Sequence, residues 1–147
     1  MNSKNNNPKF SEEYYDTIQL YKKFHTEGTK KLSPEQTFAG HSLIPWGSKI
    51  KQIIDITQSN SITDFGCGKA LGHTHRFKIN QTIYQNLADY WNIEFVQLYD
   101  PGVKEFSSYP TEKTDGIICT DVIEHIPSND IEIFIDITLG ISIAQEE

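Results

Sequence analysis

The sequence is poor in cysteine and basic residues, and it has no long apolar run. Two cysteines in 147 residues exclude a framework of several disulfides. Lysine and arginine total 13 against 20 aspartates and glutamates, for a net charge of −7, so a broad nucleic-acid-binding surface is not expected. No run reaches the about 18 apolar residues of a membrane span, and the Asn- and Lys-rich start is unlike a secretory signal. We therefore expect a cytoplasmic protein without nucleic-acid or membrane partners.

The length suits one domain with a substantial core, and its pattern divides into three parts. Residues 1–10 are polar and Asn-rich, which predicts disorder. Residues 11–47 are expected to form a helical lid segment, with Ser11 as the N-cap of a helix that ends near Gly28. A second short helix is predicted at 33–36, where Ser-Pro-Glu-Gln resembles a capping box. Residues 48–147 are expected to form the main domain.

Helical and strand-like patterns alternate in the main domain. Helices are predicted from Ser48, over 82–91 and after Ser128 or Asn129. Their expected inward residues are Ile50, Ile53, Ile54 and Thr57; Ile83, Leu87 and Tyr90 or Trp91; and Ile131, Phe134, Ile135 and Thr138 or Leu139.

Strands are predicted from Ser61, at 93–99 and at 116–120. Residues 73–80 lack a clear pattern, and 101–114 are expected to be a loop with at most one helical turn. The alternation predicts an α/β fold with a doubly wound, mostly parallel sheet flanked by helices.

The most informative segment is Asp64–Ala70, a strand end followed by Gly-Cys-Gly. Glycines in such a turn allow the backbone to approach a ligand, and the amide groups can then hold its polar atoms. A phosphate-binding P-loop fits poorly, because Thr63 and Ala70 occupy its first-glycine and hydroxyl positions. A dinucleotide fingerprint also fits poorly, because Leu71 replaces its third glycine and no acid lies at the expected distance.

Three motifs in order resemble class I S-adenosylmethionine (SAM) dependent methyltransferases. Asp64–Ala70 is similar to their acid-x-Gly-x-Gly turn, Phe95–Pro101 to their second strand with its terminal acid, and Asp115–Pro127 to their fourth strand and the following Asp-Val-Ile-Glu-His loop. The segment Phe38–Leu43 also looks like the upstream segment of some members. The resemblance implies a Rossmann-like sheet, SAM as the cofactor, and a small-molecule or sugar-like methyl acceptor.

The resemblance also implies a set of site residues. The implied cofactor-binding residues are Asp64, Phe65, Gly66, Cys67, Gly68, Asp100, Pro101, Asp121 and Val122. Asp64 would reach the amino-acid portion of the cofactor, although an Asp can also simply form the turn. Asp100 would accept the ribose hydroxyls, although Asp-Pro is also a common turn opener. His125 would serve as a catalytic base, or Glu124 and His125 would only fix the loop.

Other histidines carry weaker expectations. Tyr21, His25 or His41 in the lid segment could touch the cofactor. The spacing of Cys67, His73, His75 and Cys119 is not that of a standard zinc site, so no metal is expected.

Class I methyltransferases continue beyond the point where this sequence stops, so their last three strands are expected to be absent. With strand four then at the sheet edge, we expect a truncated gene product, a fragment, or a domain that covers this edge by forming a homodimer. The alternative function is a non-catalytic remnant that binds SAM or a partner. An NAD-type dehydrogenase is a distant third hypothesis, disfavoured by Leu71 and by the placement of Asp64.

Overall fold

A computed structural model describes residues 9–142. Residues 1–8 of the predicted disordered segment, and the last five residues, lie outside this range. The helices are α1 Glu12–Glu27, α2 Gly47–Thr57, α3 Leu71–Thr74, α4 Leu87–Trp91 and α5 Ile131–Ser142. The strands are β1 Ser61–Phe65, β2 Phe77–Ile79, β3 Thr82–Tyr84, β4 Phe95–Tyr99 and β5 Gly116–Ile118. Single 3₁₀ turns cover Ile44–Trp46, Lys104–Phe106, Ile123–His125 and Ser128–Asp130.

The central feature is a three-stranded parallel sheet in the order β4–β1–β5. β1 is paired with β4 from Ser61↔Phe95 to Phe65↔Tyr99, and with β5 on its other side. After β1 the chain first forms β4 on one side of β1, and it later returns to form β5 on the other side. The expected α/β class and parallel pairing are confirmed, with both outer strands shorter than the predicted 93–99 and 116–120.

Helices cover both faces of this sheet because the strand side chains alternate. Ile62 belongs to one core with α2 and α4, in which Leu87 and Trp91 are almost completely buried. Phe65 belongs to a second core with Tyr99 and with Phe134 of α5. The sheet is thus buried from both sides, as parallel sheets generally are.

Helix α1 is attached to the second face by a buried carboxylate. Asp130, at the start of α5, accepts hydrogen bonds from both the backbone N–H and the hydroxyl of Ser11. The same hydroxyl oxygen accepts the N–H of Tyr14 at 3.3 Å, which makes Ser11 the predicted N-cap. Phe10 stacks on Tyr14 with ring centroids 3.8 Å apart. These contacts fix the lid helix above the carboxyl end of the sheet.

The predicted helix over 82–91 is wrong in its first half. Residues Thr82–Tyr84 form β3, which pairs antiparallel with Phe77–Ile79 in a hairpin. Asn80, in the connecting turn, adopts a left-handed conformation with φ +55°, which asparagine tolerates in tight turns. Ile83 is consequently exposed rather than inward, and only Leu87–Trp91 is helical.

The short helix predicted at 33–36 is also wrong. The segment forms only turns, in which the Gln36 side chain accepts the Ser33 N–H at 3.2 Å. The capping interaction exists, but the chain turns towards the glycine loop after Thr37 instead of continuing a helix. Three other expected inward residues are exposed, namely Ile53, Thr57 and Ile135. Of the alternatives Thr138 and Leu139, Thr138 is the buried one.

The structure otherwise agrees with the pattern. A 3₁₀ turn is the one helical turn of the loop 101–114. None of the helices between residues 9 and 142 combines the length and apolarity needed to cross a membrane.

Asp115 fastens the amino end of the sheet, and it provides a test of the fold. Its carboxylate accepts the N–H groups of Asn60 and Ser61 at 2.8 and 3.1 Å. These hydrogen bonds lower its pKa, so the stabilisation is present above the carboxyl's ordinary pKa and is lost as pH falls through the lowered value. We expect Asp115→Asn to reduce the free energy of unfolding by roughly 0.5–1 kcal/mol at pH 7, and by much less at pH 3.

Urea unfolding at the two pH values measures this difference. Asp55→Asn is the matched control, because Asp55 is exposed and, among the residues that the structure describes, pairs with Lys51 on the same helix α2. An equal loss of stability in the two variants would contradict the role of Asp115.

Candidate functional site

Two adjoining cavities lie at the carboxyl end of β1, where the strand order reverses. In open α/β sheets this is the position at which ligands bind. The Asp100 cavity has a volume of about 120 Å³, and the Asp64 cavity has a volume of about 150 Å³. Both are lined by Phe38, Gly66, Gly68, Asp121 and His125.

The wall between the cavities contains the glycine turn. Gly66 and Gly68 have φ values of +90° and +56°, where side chains are strained. A Cβ on Gly66 would lie 2.2 Å from Cγ2 of Val122, and one on Gly68 would lie 2.4 Å from the Phe38 carbonyl oxygen. Glycine is therefore required at both positions by conformation and by space.

Asp100 connects this turn to the end of β4. Its Oδ2 accepts the Gly68 N–H at 2.8 Å, and its Oδ1 accepts the Gly102 N–H at 2.8 Å. Above it, the Tyr99 carbonyl oxygen accepts the N–H groups of Gly66 and Cys67. Each carboxylate oxygen has a second lone pair, so Asp100 can still accept hydroxyl groups from a ligand in the cavity it lines.

Asp64 is buried on the other side of the turn, where it lines the Asp64 cavity. Its Oδ2 lies 2.8 Å from Nε2 of His73, whose side chain is only 5% exposed. A carboxylate this deeply buried needs hydrogen-bond partners, and His73 supplies one. From the sequence, His73 was considered only as a metal ligand, and its pairing with Asp64 was not expected. The available signal was the acid itself, since a buried acid implies a donor nearby.

The loop after β5 forms the third side of the site. Asp121 has φ +56° and is exposed. His125 ends the following 3₁₀ turn, and its ring lies edge-on to Tyr21 with centroids 5.3 Å apart. Both residues line both cavities, whereas Glu124 lines neither. The loop thus presents one carboxylate and one imidazole to the crevice.

The lid segment closes the crevice by binding the glycine turn. The Lys69 N–H donates to the Phe38 carbonyl at 2.8 Å, and the Leu71 N–H donates to the Ala39 carbonyl at 3.0 Å. The Lys69 ammonium also donates to the Thr37 carbonyl at 2.6 Å. The covering segment of residues 37–39 is therefore attached to the same turn that it covers.

Helix α1 supplies the apolar wall of the Asp100 cavity. Its lining side chains are Tyr14, Thr17, Ile18, Tyr21 and His25. Burial lowers the pKa of His25, partly opposed by the negative charge of Asp100, so the imidazole is neutral at pH 7. Its Nδ1 can then accept a hydrogen bond from the Lys69 ammonium, whose nitrogen is 3.0 Å away. Burial lowers the pKa of Lys69 as well.

The two cysteines near the site are kept as thiols. Burial and the charge of Asp64 raise the pKa of Cys119 to about 11. The same causes raise the pKa of Cys67 further above its ordinary value. Because the thiolate is the nucleophile, the raised pKa values disfavour nucleophilic chemistry at either thiol at neutral pH. Within residues 9–142, no three His, Cys, Asp or Glu side chains are grouped to hold a metal ion.

All of the site residues expected from the sequence meet at this crevice. The Asp100 cavity is lined by Phe65, Gly66, Gly68, Asp100, Pro101, Asp121, Val122 and His125. The Asp64 cavity adds Asp64 and Cys67. Of the three lid candidates, Tyr21 and His25 line the Asp100 cavity, whereas His41 lines neither. Lys69 and the other α1 residues of the wall, Tyr14, Thr17 and Ile18, were not identified from the sequence, because their proximity to the site depends on tertiary packing.

Comparisons of the chain with protein-family models, with curated proteins and with solved structures find no match.

Gly66 provides a test of the turn geometry. We expect Gly66→Ala to destabilise the protein by about 2 kcal/mol or more, because the methyl group adds a clash with Val122 to an unfavourable φ. Thermal or urea unfolding measures the loss. Gly140→Ala in α5 is the matched control, since its Cβ meets nothing within 4 Å. It should be neutral or stabilise the protein by up to about 1 kcal/mol. Equal stabilities of the two variants would contradict this account.

Proposed function

We propose that the chain binds SAM in the two cavities and is a SAM-dependent methyltransferase with a Rossmann-like, doubly wound sheet. One observation carries the proposal. Two carboxylates from distant parts of the sequence, Asp64 and Asp100, flank the glycine turn, and each lines one of the two cavities. The turn between them lines both cavities through Gly66 and Gly68. The resemblance of the three motifs supports the same cofactor.

The two cavities differ in character as the two ends of SAM do. The Asp100 cavity has aromatic and aliphatic walls from α1 and α5, which suit a nucleoside, and Asp100 would accept the ribose hydroxyls. The Asp64 cavity is more polar, and its buried carboxylate would attract the ammonium group of the amino-acid portion. The sulfonium would then lie between them, near Gly66 and His125.

Each cavity is smaller than the roughly 300–1,000 Å³ of typical small-molecule sites. The shared wall consists of the fixed glycines and of three exposed side chains, Phe38, Asp121 and His125. Rotation of these side chains would join the cavities into one cleft. We therefore expect binding to displace Phe38 while leaving the glycine turn in place.

When bound, SAM supplies an electrophilic methyl group for an acceptor nucleophile. The chain's own task is then orientation and the exclusion of water, which in well-aligned reactants is worth roughly 7–11 kcal/mol. The lid segment, which includes α1, covers part of the crevice and would exclude water around a bound ligand. His125 lines both cavities and would take a proton from an acceptor. The net charge of −7 and the covering lid segment favour a small-molecule acceptor over a nucleic acid.

A homodimer is part of the proposal. Within the described residues, β5 pairs with β1 alone, so its other edge offers unpaired backbone groups to a second copy.

Calorimetric titration with SAM and S-adenosylhomocysteine (SAH) tests the function. We expect micromolar binding of both, weakened on the order of tenfold by Asp100→Asn, which removes one charged acceptor. The loss should extend to 5′-methylthioadenosine, because that compound keeps the ribose.

Asp115→Asn is the control, since it changes an aspartate at the opposite end of the sheet. It should leave the affinities within about twofold, as expected of a change remote from the site. A folded wild-type chain that binds neither SAM nor SAH would refute the proposed function.

A further inference from the structure

The Asp64 carboxylate is held at one oxygen and open at the other. Its Oδ2 is bonded to His73. Its Oδ1 accepts no hydrogen bond from any residue between 9 and 142, and it is not among the fully enclosed polar atoms. Because Asp64 lines the Asp64 cavity, Oδ1 is the oxygen available to a group that enters that cavity.

The surroundings of His73 select one tautomer. Nδ1 of its imidazole is buried without a hydrogen-bond partner in the described part of the chain, and the ring lies edge-on to Trp91 with centroids 5.9 Å apart. A proton on Nδ1 would be a buried donor without an acceptor, which is costly. The proton therefore lies on Nε2, which donates to Asp64.

A singly protonated imidazole orients a carboxylate without cancelling its charge. The pair keeps a net charge of −1, and that charge is presented at Oδ1. The position of His73 is itself fixed by its short helix, where the His73 N–H donates to the Ala70 carbonyl at 2.9 Å. The geometry can therefore set the direction in which Asp64 meets a cation.

We propose that His73 is a positioning residue, which holds Asp64 so that Oδ1 receives the α-ammonium group of a bound amino-acid moiety. This inference rests on the proposed function, because that moiety is the amino-acid end of SAM. Nothing in the sequence resemblance assigns a role to His73. According to this proposal, a change at His73 affects the binding of only the amino-acid end of the ligand.

The test compares two ligands that differ at that end. SAH carries the α-ammonium group, and 5′-methylthioadenosine lacks the whole amino-acid portion. We expect His73→Leu to weaken SAH binding on the order of tenfold, as for a hydrogen bond to a charged group, and to leave 5′-methylthioadenosine within about twofold. His73→Gln, which keeps a donor near the position of Nε2, should recover most of the SAH affinity. Calorimetry on all three proteins gives the six affinities.

Each outcome decides between the alternatives. Equal losses for the two ligands in both variants would show that His73 only supports the turn, and would overturn the positioning role while the proposed function stands. Unchanged SAH binding in His73→Leu would overturn it as well. If His73→Leu does not fold, the Gln variant still decides. A ratio of SAH to 5′-methylthioadenosine affinity close to that of the wild type supports the positioning role, and a proportionate loss of both affinities overturns it. A wild-type chain that binds 5′-methylthioadenosine and SAH equally would refute the inference alone, and one that binds neither would refute both.

Discussion

The carboxylate of Asp100 is the contact on which the crevice depends. It accepts an N–H from the turn after β1 and another from its own loop after β4, and hydrogen bonds to a charged acceptor are stronger than neutral ones. The two strands are already paired as far as Phe65 and Tyr99. Asp100 extends this connection beyond the strands, so the open turn keeps its shape without a ligand. The lid, bound to that turn through Lys69, takes its position from the same contact.

The site was largely predictable from the sequence because strand ends carry their own signals. A strand, an acid and two glycines imply a turn whatever lies around it, and parallel strands bring their carboxyl ends together. Asp64, Asp100 and Asp121 could therefore be grouped before the structure was known. His73 could not be grouped with them. Its contact with Asp64 is made from the four-residue helix α3, and four residues of helix leave no periodic pattern to detect.

The fold was less predictable where the same short segment suits either a strand or a helix. Residues 77–84 alternate only weakly between apolar and polar side chains, and they contain the turn residue Asn80. The segment 82–91 also has the apolar spacing of a helix, so the sequence pattern predicted a helix there. Tertiary packing decided the outcome, because Phe77 and Tyr84 pack with Tyr90 on the hairpin's inner face. The exposed Ile53, Ile135 and Leu139 have a related cause. A small three-stranded sheet covers only a narrow stripe of each helix, so apolar residues beside that stripe stay in contact with water.

The contact between Gly66 and Val122 joins two motifs that are far apart in the sequence. The nearest methyl group of Val122 already occupies the space that a Cβ at position 66 would need. The size of residue 122 therefore limits what residue 66 can be, and a glycine at 66 permits a branched residue at 122. In an evolving lineage the two positions would be inherited as a matched pair, and recombination between them would be penalised even where each partner was acceptable in its own parent.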